Sequence, residues 1–360
     1  MKISHLSAAA LLLSSSMFAN DSINSSIKNG TIIGDITLYA EKSDLKGNNP
    51  DSGFTSGSIG LGYETADFNG FKASVGFRGN HDFSEVENGD YGETDKTILH
   101  TANISYGNEQ ANLTVGRQEV DLEWMSDFHE AAMLGITAIT NTTITLGYTK
   151  RVAVADADAA LETFDKVNND DGAYVLDVKY EGIKGLVINP YYYHANDTAS
   201  WYGLKADYDV DSFGVTGHIA ASNEDQTGAE DGQIMHVDAR TSVAGLSLNL
   251  GYIKTDKDAG IGSMEAAAGE NINPLEDGNQ VYEADADTTY LALSYELAGI
   301  ELASIYGQTK YAQNKEKELN ITADYNITDN LSTGLLFVDV NAQDSGDDYN
   351  KITATLAYSF

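Results

Sequence analysis

Cysteine is absent from the 360 residues, and proline occurs only three times. Without cysteine no disulfide framework can staple the fold, so packing and backbone hydrogen bonding must hold it. Bases are scarce as well: 21 Lys and Arg stand against 55 Asp and Glu, a net charge of −34. That balance excludes nucleic acid as a partner, because phosphate binding draws on Lys and Arg. Long apolar runs are missing too. After a short apolar stretch at Leu6 to Leu13, nothing approaches the roughly 20 apolar residues that a membrane-spanning helix needs. An inner-membrane helical protein is excluded.

That short stretch has a different use. Lys2 supplies a positive start and Ala19 a cleavage point, so 1–19 reads as a signal peptide. The rest, 20–360, reads as one exported domain.

From Gly30 onward every second residue is apolar over segments of about ten residues, the mark of strands with one apolar face. Phe71, Ala73, Val75 and Phe77 alternate with Lys72, Ser74, Gly76 and Arg78; Leu246, Leu248 and Leu250 alternate with Ser247, Asn249 and Gly251. Segments fall at 30–41, 54–63, 71–78, 97–106, 111–118, 133–140, 142–151, 173–180, 186–194, 200–208, 213–222, 233–242, 246–254, 288–295, 300–309, 317–326, 331–340 and 350–360. Eighteen is the count, with sixteen as the alternative; either even number suits an all-β, antiparallel transmembrane barrel with both ends on the periplasmic side. Short connections such as 107–110 and 181–185 take turns with long ones such as 79–95, 152–172 and 255–287, as periplasmic turns alternate with external loops.

A third signal is aromatic. Descending segments end in Tyr63, Tyr106, Tyr180, Tyr208, Tyr295, Tyr325 and Phe360, while those ending near Thr140 and Ser242 do not. Rings with an apolar body and a polar tip belong at a membrane interface. Pro190 cannot donate to a ladder, so a bulge or a late strand start is expected there.

With the apolar face toward lipid, the other face lines a lumen of Gly, Ser, Thr and Asn with scattered charge. Sixteen to eighteen strands leave an aqueous channel. No plug domain fits between Ala19 and Gly30. The expected function is therefore a passive channel in the outer membrane, in contact with membrane lipid and lipopolysaccharide, for small hydrophilic solutes and ions. The third long loop, 119–132, is expected to fold inward as a constriction carrying Glu119, Asp121, Glu123, Trp124 and Asp127. Across the loops 79–95, 118–132, 152–172, 223–232 and 255–287 there are 30 acids and two bases, Lys166 and Lys257, which favours cations. Loop 308–316 runs the other way, with Lys310 and Lys315. Arg78, Lys179, Lys205 and Arg240 compete as a basic wall that would admit carboxylates. Clustered acids can take Ca²⁺, but none has the spacing of a calcium loop, so no cofactor is assigned.

An enzyme is not expected. His81, His100, His129, His194, His218 and His236 stand in no nucleophile or metal-type spacing. His218 and His236 fall on the lumen face and His100 on the lipid face. A structural or adhesive barrel is the alternative, ahead of an outer-membrane hydrolase.

The run Val115-Gly116-Arg117-Gln118-Glu119-Val120-Asp121-Leu122-Glu123-Trp124 resembles the approach to the third loop in OprD-like porins, and is similar above all to the major-outer-membrane-protein porins of campylobacter-type bacteria. The segment Phe71–Arg78 and the end Ala357-Tyr358-Ser359-Phe360 fit the same resemblance. It implies an eighteen-stranded channel, trimeric in some relatives and monomeric in others. It also implies that Tyr358 and Phe360 form the signal read by the barrel-insertion machinery. After Trp124 the chain departs: Asp127-Phe128-His129-Glu130 lacks the Pro- and Asn-containing continuation of many relatives.

Overall fold

The computed structural model describes residues 22–360 apart from 48, 93–95, 268, 270, 271, 344 and 345. The signal-peptide expectation lies outside the described residues. A single turn of helix, Ile23–Lys28, opens the described chain, with Ser22 Oγ accepting from the Ser25 amide at 3.2 Å.

Eighteen antiparallel strands follow. They are β1 (Thr31–Leu45), β2 (Ser52–Glu64), β3 (Phe71–Glu85), β4 (Thr97–Gly107), β5 (Ala111–Glu119), β6 (Phe128–Ile136), β7 (Thr142–Ala153), β8 (Ala173–Ile183), β9 (Leu186–Ala195) and β10 (Ala199–Val210). The series continues with β11 (Phe213–Glu224), β12 (Gln233–Val243), β13 (Leu246–Thr255), β14 (Asp287–Leu297), β15 (Ile300–Tyr311), β16 (Asn314–Thr328), β17 (Leu331–Asn341) and β18 (Tyr349–Ser359). Each pairs with its neighbour in the chain, and β1 pairs with β18 from Asp35–Ser359 to Leu45–Tyr349. The sheet is therefore closed, and no ladder edge is left for lipid to meet. An extra two-residue piece, Asp165–Lys166, pairs with Arg151 and Val152.

The alternation places Ile59, Leu61, Phe71, Phe77, Leu250 and Ile321 on the outside, all more than a third exposed. On a closed barrel that apolar belt is the lipid face. Among the descending-strand aromatics, Tyr106, Tyr208, Tyr295, Tyr325 and Phe360 are between 42% and 48% exposed at the periplasmic rim. Phe360 closes the seam: its amide and carbonyl both pair with Gly34 at 2.9 Å.

Three local readings need correction. The segment expected at 133–140 is the strand Phe128–Ile136. His129 and Glu130 look like loop residues by polarity, yet each is satisfied within the wall. His129 bonds Thr149 Oγ1 at 2.8 Å and the Ser126 carbonyl at 2.7 Å, and Glu130 holds Arg117 at 2.8 Å. Arg117 also stacks over Phe164, 4.1 Å from the ring centroid. Second, His100 faces inward. The register of β3 against β4 slips between Gly76 and Phe77, and this bulge turns His100 over Gly76, where an added Cβ would lie 2.8 Å from its ring. Third, β3 continues to Glu85, so the first long loop starts later than expected.

Pro190 sits inside β9, and the β8–β9 register slips between Leu186 and Ile188, just before it. The Asn189 side-chain amide donates to the Val178 carbonyl at 2.9 Å, offsetting the ladder donor that proline lacks.

Candidate pore constriction

The interior is not an empty tube. One buried cluster joins the tip of the third loop, the walls of β8 to β15 and the loop 256–286. The third loop spans only 120–127, because β6 begins at Phe128. It forms a small hairpin: the Val120 amide bonds the Asp127 carbonyl, and the Leu122 amide bonds the Met125 carbonyl, both at 2.8 Å. Glu123 and Trp124 occupy the tip.

Trp124 and Met125 are fully buried, and Trp124 Nε1 donates to the Tyr191 hydroxyl at 2.8 Å. Tyr191 in turn meets His218 Nε2 at 2.8 Å. Glu123 Oε1 lies 3.0 Å from Lys205 Nζ, and its other oxygen is 3.9 Å from His218 Nδ1. Burial raises the Glu123 carboxyl above the ordinary range, against the opposing pull of Lys205. Trp124 therefore anchors the hairpin to the wall, and Glu123 delivers a carboxylate to a lysine. Of the other expected constriction residues, Glu119 ends β5 and Asp121 is exposed. Asp127 closes the base of the hairpin, its carboxyl pushed up to about 6 by burial and then by Asp156.

The bases expected to form one wall are dispersed and paired. Arg78 makes a two-pronged bridge to Asp35, both distances 2.8 Å. Arg240 holds Asp209 at 2.6 Å and Asp238 at 3.1 Å. Lys179, near the periplasmic end of β8, lies 3.8 Å from Glu181. Lys205 is taken by Glu123. The expected basic wall is not a continuous surface, since each member is already matched by a carboxylate.

Loop 256–286, expected outside, folds into the lumen. Ile261, Met264, Ile272, Leu275 and Val281 are buried in the same cluster as Trp124. The ring of Tyr282 lies 6.1 Å from that of Trp124, and a Cβ at Gly269 would overlap the Trp124 and Met125 backbone. Only glycine permits that approach. The far end is pinned across the barrel. Glu318 of β16, 1% exposed, accepts the Asp277 and Gly278 amides at 3.0 and 2.8 Å. Asp277 pairs with Lys351 of β18 and accepts from the Tyr349 hydroxyl at 2.7 Å. Five large apolar residues in an acidic loop were the available clue to this path.

Two cavities border the loop. One, about 430 Å³, is lined by Asp258, Glu265, Asp277, Glu283, Asn273 and Tyr282 among others. The second, about 530 Å³, includes Glu316, Asp347 and Tyr349. Neither has Lys or Arg in its lining.

A closed eighteen-strand barrel with an apolar belt, an aromatic rim and a charged lumen narrowed by loops has the architecture of the outer-membrane channels. Solved structures share it. The chain is similar to Pseudomonas aeruginosa OccK8 (OprE), with a TM-score of 0.74, 12% identity, 93% of this chain and 98% of that chain covered. Acinetobacter baumannii OccAB3 gives 0.76 and 13%, over 93% and 100%. Pseudomonas aeruginosa OpdK gives 0.75 and 13%, over 93% and 99%. No curated protein sequence matches the chain. The chain belongs to the family described as "Putative outer membrane protein", whose match covers residues 28–217, and it resides in the bacterial outer membrane.

Proposed function

We propose that the protein is a porin, a passive channel for small hydrophilic solutes and ions that prefers cations. The pairing of every expected wall base with a carboxylate carries this reading. Arg78, Lys205 and Arg240 are held in close ion pairs, and Lys179 has Glu181 within 3.8 Å, so the acid surplus of the loops is left to set the sign of the field. Charges around a water-filled constriction select ions by that sign. OpdK, which shares the fold, is solved with vanillate, a carboxylate; the paired bases here disfavour such anions. The tip residues Glu123 and Trp124, with Glu119, Asp121 and Asp127 around them, form the constriction in this reading.

The sequence Val115–Trp124 further supports kinship with the major-outer-membrane-protein porins of campylobacter-type bacteria. Purified protein in planar bilayers tests the function. Conductance steps with a cation-signed reversal potential under a salt gradient are expected; a folded preparation without steps would favour a structural barrel.

A further inference from the structure

The lysines that run against the acidic loops find a place on the outside of the barrel. On β15 and β16 the residues facing the lumen are buried: Thr309, Glu316, Glu318 and Asn320. The alternate set faces outward, and at its extracellular end it comprises Lys310, Lys315 and Lys317, above Tyr306, Leu319 and Ile321. Lys254 of β13 continues the row and bonds Asp287 of β14 at 3.2 Å. Lys310 is the register partner of both Asp287 and Lys315. On the other side Asp339 of β17 is held by Asn341 at 2.9 Å. The outward patch thus carries four lysines against two carboxylates, on a chain where acids outnumber bases more than twofold.

Among the described residues, Lys310, Lys315 and Lys317 form no ion pair, unlike the lumen bases. Lys310 and Lys315 stand directly opposite across the ladder, a placement in which like charges repel. Asp287, opposite Lys310 on β14, offsets only part of that repulsion, because Lys254 also bonds it. The height is informative as well. Ile300 pairs with Tyr325 at the periplasmic rim, and Lys310 pairs with Lys315 ten residues higher. Ten residues of tilted strand rise about 25 Å, the height of the apolar band of such barrels. The lysines therefore stand at the opposite headgroup level. The connection above Lys310 and Lys315 is only Ala312–Gln313.

We infer that Lys310, Lys315 and Lys317, with Lys254 beside them, form a docking site for the phosphate groups of an anionic outer-leaflet lipid, whose acyl chains lie along Tyr306, Leu319 and Ile321. Lipid phosphate neutralises the opposed lysines from outside, and the continuous apolar wall below takes the chains. Such a site fastens one side of the barrel to its surrounding lipid and leaves the lumen untouched.

The test is a titration of detergent-solubilised full-length protein with bisphosphorylated lipid A, read by native mass spectrometry. For K310Q/K315Q/K317Q the affinity should fall about 100-fold, roughly fivefold for each lysine at an anionic lipid surface. K310R/K315R/K317R should bind as wild type, and K28Q/K184Q, which alters periplasmic lysines, should change nothing. Unaltered single-channel conductance shows that the triple variant is folded; should it not assemble, K315Q alone should lose about fivefold. Equal lipid A binding by wild type and the glutamine variants overturns the inference. So does displacement of lipid A by an equal concentration of inorganic phosphate, which would make the row a site for free anions.

Discussion

Neutralising one member of the Glu123–Lys205 pair should set the ion preference in opposite directions. In the wild type the two charges lie 3.0 Å apart and nearly cancel. E123Q keeps the shape of the hairpin tip but leaves the Lys205 ammonium unmatched, and K205Q leaves the carboxylate. A unit charge about 5 Å from a permeating ion in water contributes about 0.8 kcal/mol, a factor of about four in partition. Cations and anions respond oppositely, so the permeability ratio should change by roughly an order of magnitude in each variant. The assay is the reversal potential across a tenfold salt gradient, where an ideally selective pore reads about 59 mV. E123Q should move it toward the anion side, K205Q toward the cation limit, and E123Q/K205Q should return close to wild type. Because Debye screening is about 8 Å at physiological salt, the two shifts should shrink as salt rises. If both single variants shift the potential the same way, or neither does, the pair does not line the ion path and the assignment fails.

Glu318→Ala should release the inward loop, because it strips the acceptor from the Asp277 and Gly278 amides. Larger and noisier conductance steps are expected, and unchanged steps would show the loop to be held elsewhere. Asp127 supplies a pH dependence: burial pushes its folded carboxyl up to about 6, from an ordinary 3.8. The fold thus favours the protonated form, and this contribution is fully present below about pH 3.8 and lost as pH rises through 6. The third loop should resist protease better at pH 5 than at pH 7.5, and D127N should remove that difference; a wild-type profile flat over this range would refute it. Deleting Phe360 removes both backbone bonds to Gly34 at the seam and the terminal aromatic. Surface levels should drop while barrels already folded keep their heat resistance, so normal surface levels would count against an insertion role.

Alternation alone made the barrel legible. A strand of period two, such as Phe71–Phe77, carries its lipid face and its lumen face in local order, and repetition of that order leaves few other folds. Segment ends were less legible where polar groups find partners far along the chain. His129 and Glu130 read as loop because Thr149 and Arg117, which satisfy them, cannot be seen locally. A bulge is equally hidden: the slip beside Gly76 changes the face of His100 without changing its sequence context.

The candidate site divides along the same line. Residues 119–132 were readable as a charged, inward-folding loop anchored by aromatics, since Trp124 among carboxylates has little reason to sit in water. The partner of Glu123 lies 82 positions away, at Lys205, and that of Asp277 lies 74 away, at Lys351. Composition counts such charges but cannot pair them. Nor can it say that loop 256–286 crosses the lumen, which depends on Trp124 of the third loop, Glu318 of β16 and Lys351 of β18 meeting it. Local periodicity is a property of neighbouring residues, and so the chain alone determined the closed barrel and its lipid face. Ion pairing and loop path are properties of distance after closure, and only the tertiary structure decided which bases are ion-paired and which loop enters the lumen.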